Sequence, residues 1–138
     1  MILVDTSAWV EYDRATGSSV DSDLCGLIRK REPIAVSEPI LMEVLAGARD
    51  NKRARELRRL LTSFEWIPAE SVADFEGAST IYRSCRAAGV TPRGLIDCMI
   101  VNIAIRSGAE LLAADRDFEK IATVVPLRTR TLGDTMPR

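Results

Sequence analysis

Short apolar runs alternate along the chain with longer stretches in which apolar residues recur at helical spacing. The runs are rich in β-branched and other large apolar residues, and such runs predict strands. The predicted strands are Ile2–Val4, Ile34–Ser37, Phe64–Ile67, Glu110–Ala113 and Thr123–Leu127. Strands that alternate with helices favour right-handed crossovers and a parallel sheet covered on both faces. The pattern therefore predicts an α/β fold with three layers.

Capping residues indicate where the predicted helices begin and end. Serine and threonine favour the N-terminal cap, and glycine most easily takes the left-handed conformation that follows a helix. Helix starts are predicted at Ser37, Ser71 and Thr91, and helix ends before Gly17, Gly89 and Gly108. The segments between the strands are therefore expected to be helices with defined ends.

The composition is that of one globular domain. The chain has 138 residues, 46% of them hydrophobic and 28% charged, so a single domain over residues 1–138 is expected. No apolar stretch approaches the ~18 residues of a membrane span, and the N-terminus lacks the pattern of a secretion signal. These observations predict a cytoplasmic location and no membrane contact. The net charge of −1 argues against binding of nucleic acid through the overall field, but it permits local clusters of one sign.

Several kinds of chemistry are excluded by residue types that are absent or isolated. The chain contains no histidine, which rules out Ser-His-Asp and Cys-His nucleophile systems. The three cysteines, Cys25, Cys85 and Cys98, form no Cys-x-x-Cys pair, so neither a disulfide framework nor a thiolate zinc site is indicated. Catalysis by this chain would need carboxylates, hydroxyls or a metal ion.

Two acids in the first half of the chain have ordinary explanations. Asp5 ends the first predicted strand, where it is either the N-cap of the next helix or a functional carboxylate. Glu43 lies in the segment PILMEVLAG, at the margin of the apolar face of a predicted helix. Capping is a sufficient explanation for Asp5, and a single glutamate at such a margin is usually solvated. Neither residue therefore identifies a site by itself.

Three acids in the second half are harder to explain. Asp97 lies in GLIDCMIVNIAI, a predicted helix that is apolar nearly all round, where an unpaired charge would cost several kcal/mol. Asp115 and Asp117 follow the fourth predicted strand, and capping of the next short helix explains only one of them. A partner for Asp97 has to come from elsewhere in the fold.

In a parallel sheet of this kind, four or five of these acids are expected to meet at the carboxyl edge, where ligands bind in such folds. Like charges brought together raise one another's pKa unless a cation lies among them. Oxygen ligands without histidine or cysteine favour a hard divalent ion, Mg²⁺ or Mn²⁺. Such an ion polarises phosphoryl oxygens and activates water. The acids therefore indicate hydrolysis of phosphodiester bonds.

Four segments together resemble the acidic motifs of PIN-domain ribonucleases, in particular the VapC-type toxins of bacterial toxin–antitoxin pairs. The segments are ILVDTSAWVEY, SEPILMEVLAGA, RGLIDCMIVNIAIRSGA and LLAADRDFEKIA, and the resemblance extends from Met1 to about Leu127. It implies a PIN-like fold whose five-stranded parallel sheet is flanked by helices. It also implies an endoribonuclease that depends on Mg²⁺ or Mn²⁺, and a cognate antitoxin that inhibits it.

The resemblance assigns roles to individual acids. Asp5, Glu43, Asp97 and Asp115 match the acidic quartet of the family, and Asp117 matches an additional acid found in many members. Asp5, Asp97, Asp115 and Asp117 are the expected metal ligands. Glu43 is expected to position or deprotonate the attacking water, and Thr6 to orient a water on the metal. In-line attack would leave a 5′-phosphate and a 3′-hydroxyl.

This chain departs from its relatives at two places. Many relatives have a hydroxyl or other polar residue just before the fourth acid, where this chain has Ala113 and Ala114. A hydrogen bond at that point is therefore either missing or supplied by another residue. Asp13 stands where relatives often have an aromatic residue, which changes the packing or partner contacts expected around the first helix.

Basic residues are candidates for contacts with RNA. The segment ARDNKRARELRR contributes Arg49, Lys52 and Arg53, and Arg93 precedes Asp97 by four residues. The alternative for the segment is a solvated helix with internal ion pairs, and for Arg93 simple compensation of the carboxylates. The expected substrate is structured RNA, either tRNA or rRNA. The resemblance further implies a homodimer or a larger toxin–antitoxin assembly, which contacts DNA only through the antitoxin.

Two other functions remain open. A phosphohydrolase of haloacid dehalogenase type also has an aspartate after its first strand, but that family predicts a second aspartate where this chain has Ser7. A catalytically silent PIN module that binds RNA or protein is disfavoured because all four matching acids are present. Cleavage of RNA that requires a metal would distinguish the ribonuclease from both alternatives.

Overall fold

A parallel sheet of four strands forms the centre of the computed structural model, which describes residues 1–130. The strands are β1 (Ile2–Val4), β2 (Ile34–Val36), β3 (Glu65–Trp66) and β4 (Glu110–Leu112). Their order across the sheet is β3-β2-β1-β4, and every neighbouring pair is parallel. In β1, Leu3 pairs with Ala35 of β2 on one side and with Leu111 of β4 on the other. Residues 131–138 of the predicted domain lie outside the described part.

Helices flank this sheet, as the alternating pattern predicts. They are α1 (Thr6–Asp13), α2 (Ser19–Arg29), α3 (Glu38–Ala46), α4 (Asn51–Leu61), α5 (Ser71–Ala87), α6 (Leu95–Ser107) and α7 (Asp117–Ile121). All residues of β1 and β2 are buried, because a parallel sheet has helices on both faces. The α/β class is confirmed. Among residues 1–130, no helix is long and apolar enough to cross a membrane.

The predicted strand Thr123–Leu127 is wrong for this part of the structure. The chain leaves α7 in turns, and the fifth position of the sheet is represented in the described residues by one parallel bridge between Thr129 and Leu111. Val124 and Val125 are partly buried and pack against the core. The apolar run that predicted a strand therefore covers the end of the core, and pairing with β4 begins only after it.

Most predicted helix boundaries are confirmed, with two exceptions. Ser37 is the N-cap of α3, and α5 begins at Ser71. Thr91 is not a cap, because α6 begins at Leu95 after an extended Gly94. The remaining predicted caps are glycines, and Gly89 and Gly108 have the expected positive φ after α5 and α6. Gly17 also has a positive φ of 73°, but α1 already ends at Asp13, and Ala15 takes the left-handed position nearer to that end, with φ 50°.

The two tryptophans differ in burial but belong to the same core. Trp9 of α1 is 1% exposed and stacks at a tilt on Phe64, whereas Trp66 is half-buried against the core. At the end of the same helix, Asp13 accepts a hydrogen bond from Arg53 Nε at 2.8 Å. Asp13 thus ties α1 to α4.

A buried carboxylate fixes α5 against α6. Asp74 is fully buried and accepts hydrogen bonds from Arg106 Nε at 2.8 Å, Arg106 Nη2 at 2.7 Å and Asn102 Nδ2 at 2.8 Å. Burial alone would raise the pKa of Asp74, but these bonds and one from the Glu70 amide outweigh it, so the pKa lies below its usual range. Asn102 and Arg106 are therefore committed to Asp74 and do not compensate Asp97.

Candidate metal centre

Four elements bring acids to the carboxyl edge of the sheet. Asp5 directly follows β1, and Asp115 lies three residues beyond the end of β4 at Leu112. Because β1 and β4 are parallel neighbours, their ends meet at this edge. Glu43 comes from α3, the helix that follows β2, and Asp97 comes from the first turn of α6. The structure thus gathers acids that are far apart in sequence, as the fold class predicts.

Asp5 combines both roles that the sequence left open. It is the N-cap of α1, and its Oδ2 accepts hydrogen bonds from the Ser7 amide at 2.9 Å and from Ser7 Oγ at 2.6 Å. Its Oδ1 is buried and has no hydrogen-bond partner in the described part of the chain. Burial raises the pKa of Asp5, and the charge of Glu43 raises it further, while the bonds from Ser7 oppose both. One oxygen is therefore committed to the helix, and the other is free for a ligand.

Ser7 is a site residue that the sequence analysis did not identify. Besides donating to Asp5, its hydroxyl accepts hydrogen bonds from the amide of Ala114 at 2.9 Å and from that of Asp115 at 3.4 Å. It therefore connects the end of β1 to the loop that carries Asp115. The two alanines before Asp115 contributed the only signal, since they indicated a hydrogen bond that another residue had to supply.

Thr6 holds Glu43. Its hydroxyl donates a hydrogen bond of 2.6 Å to Glu43 Oε1. This contact between the start of α1 and the middle of α3 aims the carboxylate of Glu43 towards the acids at the sheet edge. The predicted role of Thr6 in orienting a water on a metal is not tested by this contact, which acts on Glu43 instead.

Asp97 lies among like charges in a largely buried position. Its side chain is 13% exposed, and burial together with the nearby charges of Asp5, Glu43 and Asp115 raises its pKa to about 6, although Arg93 opposes the shift. The carboxylates are therefore close enough to repel one another.

Asp115 and Asp117 form the opposite side of the cluster. Asp115 Oδ1 accepts a hydrogen bond of 2.9 Å from the amide of Asp117, the first residue of α7, whereas the N-cap of this helix is Arg116. Asp115 Oδ2 lies 2.5 Å from Arg93 Nη2 in a close charge contact that lacks hydrogen-bond alignment. Asp117 faces Arg93 Nε at 3.8 Å and Lys120 Nζ at 3.7 Å. A local hydrogen bond thus accounts for one oxygen of Asp115, and Asp117 lies between two cations.

The donor chemistry of this cluster fits a hard divalent ion. The donors are all carboxylate oxygens, one of them is the buried and unpartnered Oδ1 of Asp5, and the like charges lack sufficient compensation. Within residues 1–130, no three acidic or cysteine side chains already converge closely enough to enclose an ion. The residues that could hold an ion are therefore present at one edge, but their side chains do not enclose a site in this arrangement.

The predicted RNA-binding residues fall into two groups. Arg93 lies among the acids, whereas Arg49 lies just before α4 and Lys52 and Arg53 lie in its first turn. Arg49 is exposed beside Asp50 at 3.9 Å, and Lys52 is exposed. Arg53 pairs with Asp13 and, at 3.2 Å, with Glu56, so its guanidinium is already occupied by two carboxylates.

Sequence comparison relates the chain to a known family. A profile of the PIN domain matches residues 2–124. Ribonuclease VapC11 of Mycobacterium tuberculosis is 43% identical over 129 residues, which cover 93% of this chain and 96% of that protein. A VapC ribonuclease of Mycobacterium bovis gives the same identity and coverage.

Structural comparison gives the same fold. VapBC2 from Rickettsia felis, bound to a DNA fragment from its promoter, matches with a TM-score of 0.73 at 19% identity, covering 94% of this chain and 98% of that one. The sarcin-ricin loop cleaving toxin VapC20 of Mycobacterium tuberculosis matches with a TM-score of 0.66 at 19% identity, covering 93% and 99%. At such identities the likeness establishes the fold alone.

Proposed function

Because the chain belongs to the PIN-domain family, with VapC ribonucleases among its members at 43% identity, we propose that it is a toxin ribonuclease of the VapC type. It hydrolyses phosphodiester bonds inside RNA chains, and a cognate antitoxin inhibits it. The observation that carries this proposal is the cluster of acids at the carboxyl edge of the sheet. The cluster combines an unpartnered buried oxygen on Asp5 with a pKa of about 6 for Asp97.

The activity is proposed to depend on Mg²⁺ or Mn²⁺. Asp5, Asp97 and Asp115 would hold the ion, with Asp117 at the margin. When bound, the ion supplies Lewis-acid activation of the phosphodiester and of water. The protein's own part is to hold the carboxylates in place: Ser7 fixes Asp5 and the Asp115 loop, and burial keeps the site in a medium where charges act strongly.

Glu43 is proposed to position the attacking water and accept its proton. Thr6 occupies Oε1 of Glu43, which leaves Oε2 for this task and fixes the direction of the carboxylate. In-line attack on phosphorus would give a 5′-phosphate and a 3′-hydroxyl.

The substrate is proposed to be structured RNA, either tRNA or rRNA, in the cytoplasm. Positive charge for the phosphates would come from the exposed Arg49 and Lys52 and from Arg93 at the site. Arg53 would contribute only after it leaves its carboxylate partners. As partners we propose the antitoxin and a second copy of the chain, or a larger assembly of toxin and antitoxin. DNA would be contacted only through the antitoxin.

Cleavage of total bacterial RNA by the purified protein tests this proposal. The wild type is incubated with Mg²⁺, with Mn²⁺ or with EDTA, beside Asp5→Asn and Asp97→Asn, and fragment ends are mapped by sequencing. Discrete fragments that need metal and disappear in both variants are expected. The matched control is Glu32→Gln, an exposed acid that precedes β2 at the opposite edge of the sheet, and it should cleave like the wild type.

Two results would contradict the proposal. Fragments that persist in both variants would show that cleavage comes from another site or a contaminant. RNA binding without cleavage under either metal would identify the chain as a silent PIN module instead.

A further inference from the structure

Arg93 makes a network of charge contacts with the acidic cluster. Its Nη2 lies 2.5 Å from Asp115 Oδ2 and 3.7 Å from Asp97 Oδ2, and its Nε lies 3.8 Å from Asp117 Oδ2. The three partners come from two elements and the loop between β4 and α7. A single guanidinium thus bridges three of the four carboxylates proposed to hold the metal.

No other basic residue within residues 1–130 has this position. Lys120 contacts Asp117 alone, at 3.7 Å. Arg116 is exposed and stands next to Asp115 in the chain, but it forms no ion pair with any acid in the described part. Arg93 therefore differs from its basic neighbours because it contacts three carboxylates of the cluster, whereas they contact one or none.

The position of Arg93 in the chain does not explain its orientation. It lies two residues before the start of α6, and a positive charge at a helix N-terminus is electrostatically unfavourable. The contacts with the three surrounding carboxylates oppose this effect. Because the Arg93 side chain is 65% exposed, its ion pairs are partly screened by water and can be exchanged at modest cost.

We propose that Arg93 is an internal competitor for the divalent ion: its guanidinium and the metal use the same oxygens of Asp97 and Asp115 and exclude one another. This inference rests on the proposed metal site. It makes metal affinity a property of Arg93 as well as of the ligands, because the ion binds only the fraction of molecules in which the guanidinium has moved away.

The competition has a measurable size. The apparent dissociation constant equals the intrinsic one divided by the fraction of molecules open to the ion. If the guanidinium occupies the carboxylates in most molecules, its removal lowers the apparent constant by about three- to tenfold. The same removal takes compensating charge from the acids, so in EDTA the protein melts at a lower temperature.

Calorimetric titration with Mn²⁺ tests the inference on the full chain after treatment with EDTA. The proteins are the wild type, Arg93→Gln, Arg93→Lys and the matched control Arg116→Gln, which removes the same charge beside Asp115 without removing an observed contact. Arg93→Gln is expected to bind Mn²⁺ about three- to tenfold more tightly. Arg93→Lys should lie between it and the wild type, and Arg116→Gln should change the constant less than Arg93→Gln. Melting curves in EDTA and in saturating Mn²⁺ accompany each titration. The melting temperature of Arg93→Gln should lie below that of the wild type in EDTA, and the difference should be smaller in Mn²⁺.

The outcomes separate the two proposals. Equal Mn²⁺ affinity in Arg93→Gln and the wild type, or weaker binding in the variant, would overturn the competition alone. Equal tightening in Arg93→Gln and Arg116→Gln would also overturn it, because the effect would then come from the general field. Absence of Mn²⁺ binding in all four proteins would overturn the metal site itself.

Discussion

At the scale of single residues, the acids at the sheet edge are placed at the expense of stability. Asp97 is nearly buried among like charges, whereas Asp74 is fully buried but hydrogen-bonded by Arg106 and Asn102. The pKa of Asp97 is raised to about 6 and that of Asp74 is lowered. Raised and lowered values separate the two roles: one carboxylate is poised for a ligand, and the other is structural.

Replacement of Asp97 by asparagine should stabilise the protein in a manner that depends on pH. The pKa of Asp97 is higher in the folded state than its ordinary value of 3.8, so protonation of Asp97 favours the folded state. This stabilising contribution is fully present below about pH 3.8 and is lost as the pH rises through about 6. In EDTA, Asp97→Asn should therefore equal the wild type at pH 4 and exceed its unfolding free energy by about 2–3 kcal/mol at pH 7.5. Urea unfolding at both pH values measures this.

Asp74→Asn provides the contrast for that experiment. Its lowered pKa means that the stabilising contribution of Asp74 is present above the ordinary value of 3.8 and is lost only as the pH falls below it. Asp74→Asn should therefore be less stable than the wild type at pH 4 and at pH 7.5 alike. If Asp97→Asn behaved in the same way, Asp97 would be a structural acid and not a strained one.

Ser7 should matter for activity more than its small size indicates. Removal of its hydroxyl in Ser7→Ala takes a 2.6 Å hydrogen bond from Asp5 and the acceptor from the Ala114 amide, so two proposed metal ligands lose their shared support. We expect kcat for RNA cleavage to fall about 10- to 100-fold, the usual effect of losing a group that orients metal ligands. Kinetics on a defined RNA substrate measure the effect.

The matched control is Ser22→Ala, an exposed serine in α2. It should leave kcat unchanged. Full activity in Ser7→Ala would show that Asp5 is positioned by the end of β1 alone.

At the scale of elements, the contact between α5 and α6 decides how Asp97 is presented. Arg106 and Asn102 of α6 reach Asp74 of α5, and Arg106 Nη2 also donates to the carbonyl of Pro68 at 2.7 Å. These bonds fix the axial position of α6, whose first turn carries Asp97. A helix that is apolar nearly all round would otherwise have little to set its register against its neighbour.

Gly77 allows this close approach of the helices. A Cβ atom at Gly77 would lie 2.4 Å from Cγ and Oδ1 of Asn102, and Asn102 cannot move away without breaking its bond to Asp74. Glycine to alanine inside a helix normally stabilises by about 0.5–1 kcal/mol. For Gly77→Ala we expect the opposite sign, a loss of about 1–3 kcal/mol in the free energy of unfolding, measured with urea.

Gly26→Ala is the matched control for that substitution. Gly26 lies in the middle of α2, and a Cβ there would meet no atom within 4 Å. It should gain the ordinary helix-propensity increment. Stabilisation by both alanines would show that the helices can separate slightly and that Gly77 does not limit their packing.

At the scale of the whole molecule, the net charge of −1 is the sum of an acidic edge of the sheet and a basic face of α4 with other charges that nearly cancel. The acids gather at the carboxyl edge of the sheet. On α4, the buried residues Leu57 and Leu61 anchor the helix and turn its basic residues outwards; the exposed ones are Lys52, Arg55, Arg58 and Arg59. Because phosphate contacts dominate affinity for nucleic acids, this separation suits a protein that binds RNA with one surface and cleaves it at another.

The sequence by itself determined the features that depend on local pattern. Alternation of apolar runs and helical stretches predicted the α/β class and five strands, four of which the structure confirms, since both periods are properties of neighbouring residues. It also identified the acids, because a carboxylate after a buried strand or inside an apolar helix is locally anomalous. The apolar run Thr123–Leu127 fits either a strand or a segment that packs against the core. The pattern predicted a strand, whereas the structure shows residues packed against the core, followed by a single bridge to β4.

Only the tertiary structure decided which side chains support the acids. The bond from the Ala114 amide to Ser7 spans 107 positions in sequence, and that from Thr6 to Glu43 spans 37. A local pattern carries no record of such contacts, because any hydroxyl residue near Asp5 would satisfy the same capping preference. The same holds for Arg93, because its three acidic partners are brought together by the pairing of β4 with β1 and the packing of α6 against α5. The identity of the acids is thus a property of the sequence, and their neighbours are a property of the fold.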